Sequence, residues 1–216
     1  GADMDWSASS AEALDATANN NDGDVIGAVA TPGRIGQGLN FDGTDDWVDL
    51  PNGNTYLNVN AGTVALWYKA GANSFTTNRP LFIYNASGCS IIGVFLAEWN
   101  ATGMRASHYA NCTGTQDSID TTVDNWTVAQ SKWQFFVFTW DVSTDTLATF
   151  YDGTYKTQAD DLDTATFGAG NSAIGSDYDG YPLFKGLIDE VRVYNRALTE
   201  TEIGDLYRLG KVEIKR

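Results

Sequence analysis

The sequence predicts an all-β domain, a sandwich or barrel of antiparallel strands with one short helix near the C-terminus. Its hydrophobic runs are short and separated by turn clusters such as Asp42-Gly-Thr-Asp-Asp46, Pro51-Asn-Gly-Asn-Thr55, Tyr151-Asp-Gly-Thr-Tyr155 and Gly175-Ser-Asp-Tyr-Asp-Gly-Tyr-Pro182. Gly, Thr, Asn, Trp and Tyr are plentiful while strong helix formers are scarce. One stretch alone carries helical spacing with start and stop signals. No repeat, linker or composition shift divides the 216 residues, so a single domain over 1–216 is expected.

The elements follow in chain order. From Asp46 to Leu50, Val48 and Leu50 share one parity, and Trp47 and Asp49 the other, as in a half-buried strand. Val64, Leu66 and Tyr68 alternate against Thr63, Ala65 and Trp67 in the same way. From Trp133 to Trp140 both parities are apolar, which predicts a strand covered on both faces and central in its sheet. Thr146–Tyr151 and Thr154–Thr157 flank Asp152-Gly153, a dipeptide tolerant of positive φ that suits a two-residue hairpin turn. In Leu187–Asn195 the residues Asp189, Val191 and Val193 share a parity expected to face the core. Thr199 and Glu202 form a capping box, and Ile203, Leu206 and Leu209 recur at helical spacing until Gly210.

Acidic residues outnumber basic ones 28 to 13, for a net charge of −15. Such a surface repels phosphate backbones and anionic headgroups, so nucleic acid is excluded as a partner. No apolar run reaches the roughly 18 residues a membrane span requires, so no membrane insertion is expected. The N-terminal GADMDWSASS lacks the basic and apolar regions of a signal peptide.

Several segments together resemble one family. They are Asp15–Gly23 (DATANNNDG), Gly38–Val48 (GLNFDGTDDWV), Thr63–Trp67 (TVALW), Trp133–Asp141 (WQFFVFTWD), Phe150–Gly153 (FYDG) and Gly186–Leu198 (GLIDEVRVYNRAL). In this order and at this spacing the chain is similar to a laminin-G-like domain of the concanavalin A-like lectin and glucanase superfamily. The resemblance implies a jelly roll of two antiparallel sheets, one concave and one convex. Asn73–Gln130 carries no motif of the set, and such domains vary there and form ligand-facing loops.

The resemblance also implies a structural calcium on the convex side, with a ligand from the aspartate of Ile188-Asp189-Glu190-Val191. A carboxylate on the core side of a strand must be neutralised or paired. Asp189 either ligates calcium, accepts backbone N–H bonds, or pairs with Arg192 or Arg196. Calcium takes six to eight oxygens from irregular loops, and Asp15–Gly23 gathers Asp15, Asn19, Asn20, Asn21 and Asp22. Asp15, Asp22 and Asp42 are therefore further metal candidates beside Asp189. One His and two Cys furnish no typical transition-metal site.

Catalysis is not expected. Any His-based triad must use His108, whose surroundings, Met104-Arg-Ala-Ser-His-Tyr109, show no nucleophile elbow. The Glu-x-Asp-x-Glu pattern of related laminarinases and agarases is absent, and Glu98 stands alone beside Trp99. Tyr68-Lys-Ala-Gly71 matches a fragment of an alginate-lyase signature without its companion motifs.

Sugars are held by aromatic platforms with carboxylate, amide and Arg groups around them. The variable segment offers Trp99, Arg105, His108, Tyr109 and Trp126, and the loop Ser176–Pro182 offers Tyr178 and Tyr181. Cys89 and Cys112 form one disulfide or remain two buried thiols. Asn85, Asn100, Asn111 and Asn125 begin four glycosylation sequons. The expectation is an extracellular or cell-surface, non-catalytic carbohydrate-recognition or adhesion domain that binds a glycan or polysaccharide, or a surface protein. The alternatives are a protein-binding or structural module of a surface appendage or larger multidomain protein, and a polysaccharide hydrolase or lyase.

Overall fold

The computed structural model describes residues 4–5, 11–50, 56–71, 79–86, 91–96, 103–109, 116–122, 132–159, 162, 170–177 and 183–211. Among these, two antiparallel sheets face each other. The nine-stranded sheet runs β1 (Met4–Asp5), β2 (Ala11–Ala13), β3 (Gly23–Ile26), β6 (Trp47–Leu50), β15 (Gly170–Ile174), β8 (Arg79–Ala86), β9 (Ile91–Leu96), β10 (Gly103–Tyr109), β11 (Gln116–Thr122). The seven-stranded sheet runs β14 (Thr154–Ala159), β13 (Thr146–Tyr151), β12 (Gln134–Asp141), β7 (Ala61–Ala70), β16 (Lys185–Tyr194), β5 (Gln37–Asp42), β4 (Val29–Pro32). The one helix described, α1 (Glu200–Lys211), lies on the outer face of the second sheet. The architecture is the expected jelly-roll sandwich.

Alternation sorts the side chains into two cores. Val64, Leu66 and Tyr68 of β7 and Phe136, Phe138 and Trp140 of β12 point between the sheets, where they meet Phe82, Tyr84, Ile92, Val94 and Met104. The opposite parity, Ala65, Trp67, Phe135 and Val137, packs beneath α1 with Ile203, Leu206 and Tyr207. This explains why β12 is apolar on both faces; it lies inside the sheet, next to the central strand β7.

The hairpin turn is as expected, with Asp152 at φ 51° and Gly153 at φ 75°. Asp152 also docks the hairpin, because its Oδ1 accepts the Phe135 N–H at 3.0 Å and its own N–H donates to Phe135 O at 2.8 Å. The capping box forms too: the Thr199 N–H donates to Glu202 Oε2 at 2.9 Å, and the Glu202 N–H donates back to Thr199 Oγ1 at 3.4 Å. Two details of the helix differ from expectation. Leu209 is exposed, and Gly210 is buried inside the helix rather than ending it. Gly210 meets the Trp67 indole so closely that a Cβ there would lie 2.4 Å from a ring carbon, so the glycine permits close packing of helix on sheet.

Strand β16 departs from simple alternation. Its pairing with β7 shifts between Asp189 and Arg192, with Glu190 at φ 51°. Directly opposed residues share a face. Before the shift Asp189 is opposite Trp67, on the outer face; after it Val193 is opposite Val64, on the inner face. Asp189 and Val193 therefore lie on opposite faces. Asp189 is buried, but beneath the β4–β5 turn rather than in the core between the sheets.

Candidate functional site

The turn between β5 and β6 concentrates carboxylates. Asp42, Asp45 and Asp46 each offer an oxygen, all within 4.8 Å of one another. The Asp42 N–H donates to Asp46 Oδ2 at 2.6 Å, and the Thr44 N–H donates to Asp42 Oδ1 at 2.6 Å, so backbone amides set the turn. Asp46 is buried, with its Oδ1 against Gly27, where an added Cβ would fall 2.2 Å away. Burial pushes its carboxyl above the usual range, the Asp42 and Asp45 charges push the same way, and the Asp42 amide opposes them. Among the described residues, no ion pair neutralises this group. An all-oxygen carboxylate donor set of this kind fits a hard cation such as calcium.

The other metal candidates are differently engaged. Asp15 and Asp22 close their own loop: the Asp15 N–H donates to Asp22 Oδ1 at 2.6 Å. The Asp15 carboxylate accepts N–H bonds from Thr17 at 2.9 Å and Asn21 at 3.0 Å. Asp189 Oδ2 accepts the Ile35 N–H at 2.8 Å and its Oδ1 accepts the Glu190 N–H at 2.8 Å. Gly33 and Gly38 lie against the same carboxylate. Of the readings open for Asp189, the described contacts match backbone N–H donation; Arg192 pairs with Glu190 and Arg196 with Glu202. The structure brings Asp15 and Asp22 together, but groups Asp42 with Asp45 and Asp46. Sequence reading missed the latter two because the cluster there reads first as a turn.

The ligand candidates divide by strand parity. Met104, Ala106 and His108 of β10 face the inner core, while Arg105 and Ser107 face outward. His108 is fully buried, its Nε2 3.0 Å from Val59 O and its ring beside Trp140. Burial lowers its pKa. That position corrects the expectation of a ligand-contacting histidine. Arg105 is half-buried and lies directly between Phe95 of β9 and Asp120 of β11, its register partners on either side. The Phe95 ring lies over Gly93, where a Cβ would be 2.2 Å from a ring carbon. Ser107, opposite Gly93, is buried with a hydroxyl that has no hydrogen-bond partner. Phe95 and Arg105 thus stand opposite each other, both half-buried, on the outer face of the nine-stranded sheet. Trp99, Trp126, Tyr178, Tyr181, Cys89 and Cys112 lie outside the described residues, as does the side chain of Tyr109.

Comparison with known proteins agrees with this architecture. A laminin-G-like profile described as the concanavalin A-like lectin/glucanases superfamily matches residues 42–204, and the chain belongs to that family. No curated protein matches it. Among solved structures, domain 4 of AbnA, a GH43 extracellular arabinanase from Geobacillus stearothermophilus, in complex with arabinotriose, is similar at 23% identity and TM-score 0.63, covering 84% of this chain and 82% of that one. The binding domain of Paraclostridial Mosquitocidal Protein 1 is similar at 14% identity and TM-score 0.69, over 90% of this chain and 48% of that one. The receptor binding domain of botulinum neurotoxin D is similar at 13% identity and TM-score 0.69, over 90% and 49%. The chain spans about half the length of these toxin domains, and the likeness in all three is one of fold.

Proposed function

We propose that the protein is a non-catalytic, extracellular carbohydrate-recognition domain whose ligand face is the outer surface of the nine-stranded sheet. The observation that carries this reading is the register pairing of Phe95 with Arg105: an aromatic residue of the kind that covers the apolar face of a sugar, opposite a guanidinium of the kind that recognises its hydroxyls. We include Trp99, Tyr109 and Trp126 in the proposed ligand set on the chemistry of their side chains. The arabinotriose complex of a domain sharing the fold supports a saccharide as the partner class. The burial of the chain's single histidine, His108, keeps its ring away from any ligand, whether bound or turned over. We further assign a structural calcium to Asp42, Asp45 and Asp46, where it would neutralise three crowded carboxylates and tie β5 to β6.

The test is a titration with arabinotriose and a panel of neutral oligosaccharides, in calcium and in chelator. Binding is expected, with loss on Arg105→Ala at unchanged melting temperature. A folded protein that binds no saccharide in either buffer would overturn the reading in favour of a surface-protein partner.

A further inference from the structure

The outer face of the seven-stranded sheet carries a cleft of about 400 Å3, walled by the β4–β5 turn, the approach to β12, the Asp152 turn and the end of α1. Its volume falls in the range of about 300–1,000 Å3 typical of small-ligand sites. It lies on the other sheet from Arg105 and is lined by different residues. Its charge is unlike the rest of the molecule. Three of the chain's thirteen basic residues, Arg34, Lys132 and Lys211, converge on it, and Asp152 is the one acid in the lining. That carboxylate already accepts the Phe135 N–H. A chain of net charge −15 has acids to spare, yet among the described residues no ion pair neutralises these three cations.

Aromatic rings form the rest of the wall. Trp67 and Tyr207 stack at 5.6 Å and 14°. The Arg34 guanidinium lies 4.9 Å from the Trp67 centroid, and Lys211 Nζ lies 4.8 Å from the Tyr207 centroid. Trp133 and Tyr207 keep part of their surface open. Arg34 Nε is buried without a hydrogen-bond partner, so one arm of its fork is unmatched. The arginine is held in place from below, because Asp189 accepts the Ile35 N–H and pins the turn that carries it.

We infer that this cleft is a second ligand site and that it takes an anionic saccharide, a uronate or sulfated residue with its ring face on the aromatic wall and its anion against Arg34, Lys132 and Lys211. Charge and rings alone specify an anion with a flat apolar face; that it is a sugar rests on the function proposed above. Arginine matches the two oxygens of a carboxylate or sulfate, and the lysines add charge without fixed direction.

Calorimetry on the full chain would use trigalacturonic acid, its fully methyl-esterified form and a sulfated disaccharide at low and at physiological salt. We expect one or both anionic probes to bind, more weakly as salt rises, with the neutral ester at least about tenfold weaker. Lys132→Gln combined with Lys211→Gln changes two surface side chains and should weaken the anionic probe by at least about tenfold at an unchanged melting temperature. Arg34→Gln should do the same. Uronate binding without sulfate binding, or the reverse, identifies the anion. No binding of either anionic probe, equal binding of the ester, or full affinity in the double lysine variant would overturn the proposal. Arg105→Ala separates the two sites. It should abolish neutral saccharide binding and leave the anionic probe bound; a protein that binds only the anionic probe would refute the sheet-face reading and leave the cleft standing.

Discussion

Asp46 and Asp189 are each 5% exposed, and burial raises the pKa of both, yet they sit in opposite surroundings. Asp189 is surrounded by donors: the amides of Ile35 and Glu190, and glycines that let the backbone close over it. Asp46 accepts one amide and faces two further carboxylates. Burial of a carboxylate therefore says little about metal binding; its neighbours decide. A ring of amides completes an anion, whereas a ring of anions calls for a cation.

Asp189→Ala orphans two amides at about 1–3 kcal/mol each, so its melting temperature should fall by the same amount with and without calcium. A loss confined to calcium-containing buffer would instead make Asp189 a ligand. For Asp46, calcium at about one hundred times its dissociation constant should add about 2.7 kcal/mol of stability, measured as a rise in melting temperature over chelator. Asp46→Asn should lose most of that rise, and an unchanged wild-type melt on chelation would refute the site.

Acidity tests the same pair more gently. Each carboxyl holds its proton more tightly in the fold than in the unfolded chain. Its contribution is thus present below the ordinary aspartate value of 3.8 and lost as pH rises through the raised folded value. In chelator, Asp46→Asn should flatten the decline in melting temperature just above pH 3.8. The smallest expected effect is the reverse case of Glu202, which Arg196 and the Thr199 N–H hold down at about 2. Its contribution is present above 4.5 and lost as pH falls toward 2, so Glu202→Gln should remove that part of the acid sensitivity.

What the sequence made legible was local. The Asp152-Gly153 turn, the Thr199–Glu202 box and the two apolar parities of β12 each depend on residues within one or two elements, and all three took the expected form. Asp189 was misplaced because parity counting assumes an unbroken strand, and the shift after it is invisible in composition. His108 was misread for want of its strand's parity, which Met104 and Ala106 supply. Phe95 and Arg105 became neighbours only through the pairing of β9 with β10. The basic cleft escaped entirely, since Arg34, Trp67, Asp152 and Lys211 come from four separate parts of the chain and share no period.

The bulge in β16 lets a strand one residue longer than its neighbour keep both of its faces. It works as a frame change within a single strand: the odd-numbered Leu187 and Asp189 before it lie on the helix side of the sheet, and the odd-numbered Val193 after it lies on the core side. Deleting one residue at Glu190–Val191 would leave a continuous ladder in which Asp189 still opposes Trp67 on the outer face and Val193 still opposes Val64 on the inner face. A deletion elsewhere in the strand has no spare residue to draw on and would carry its hydrophobic set to the wrong face.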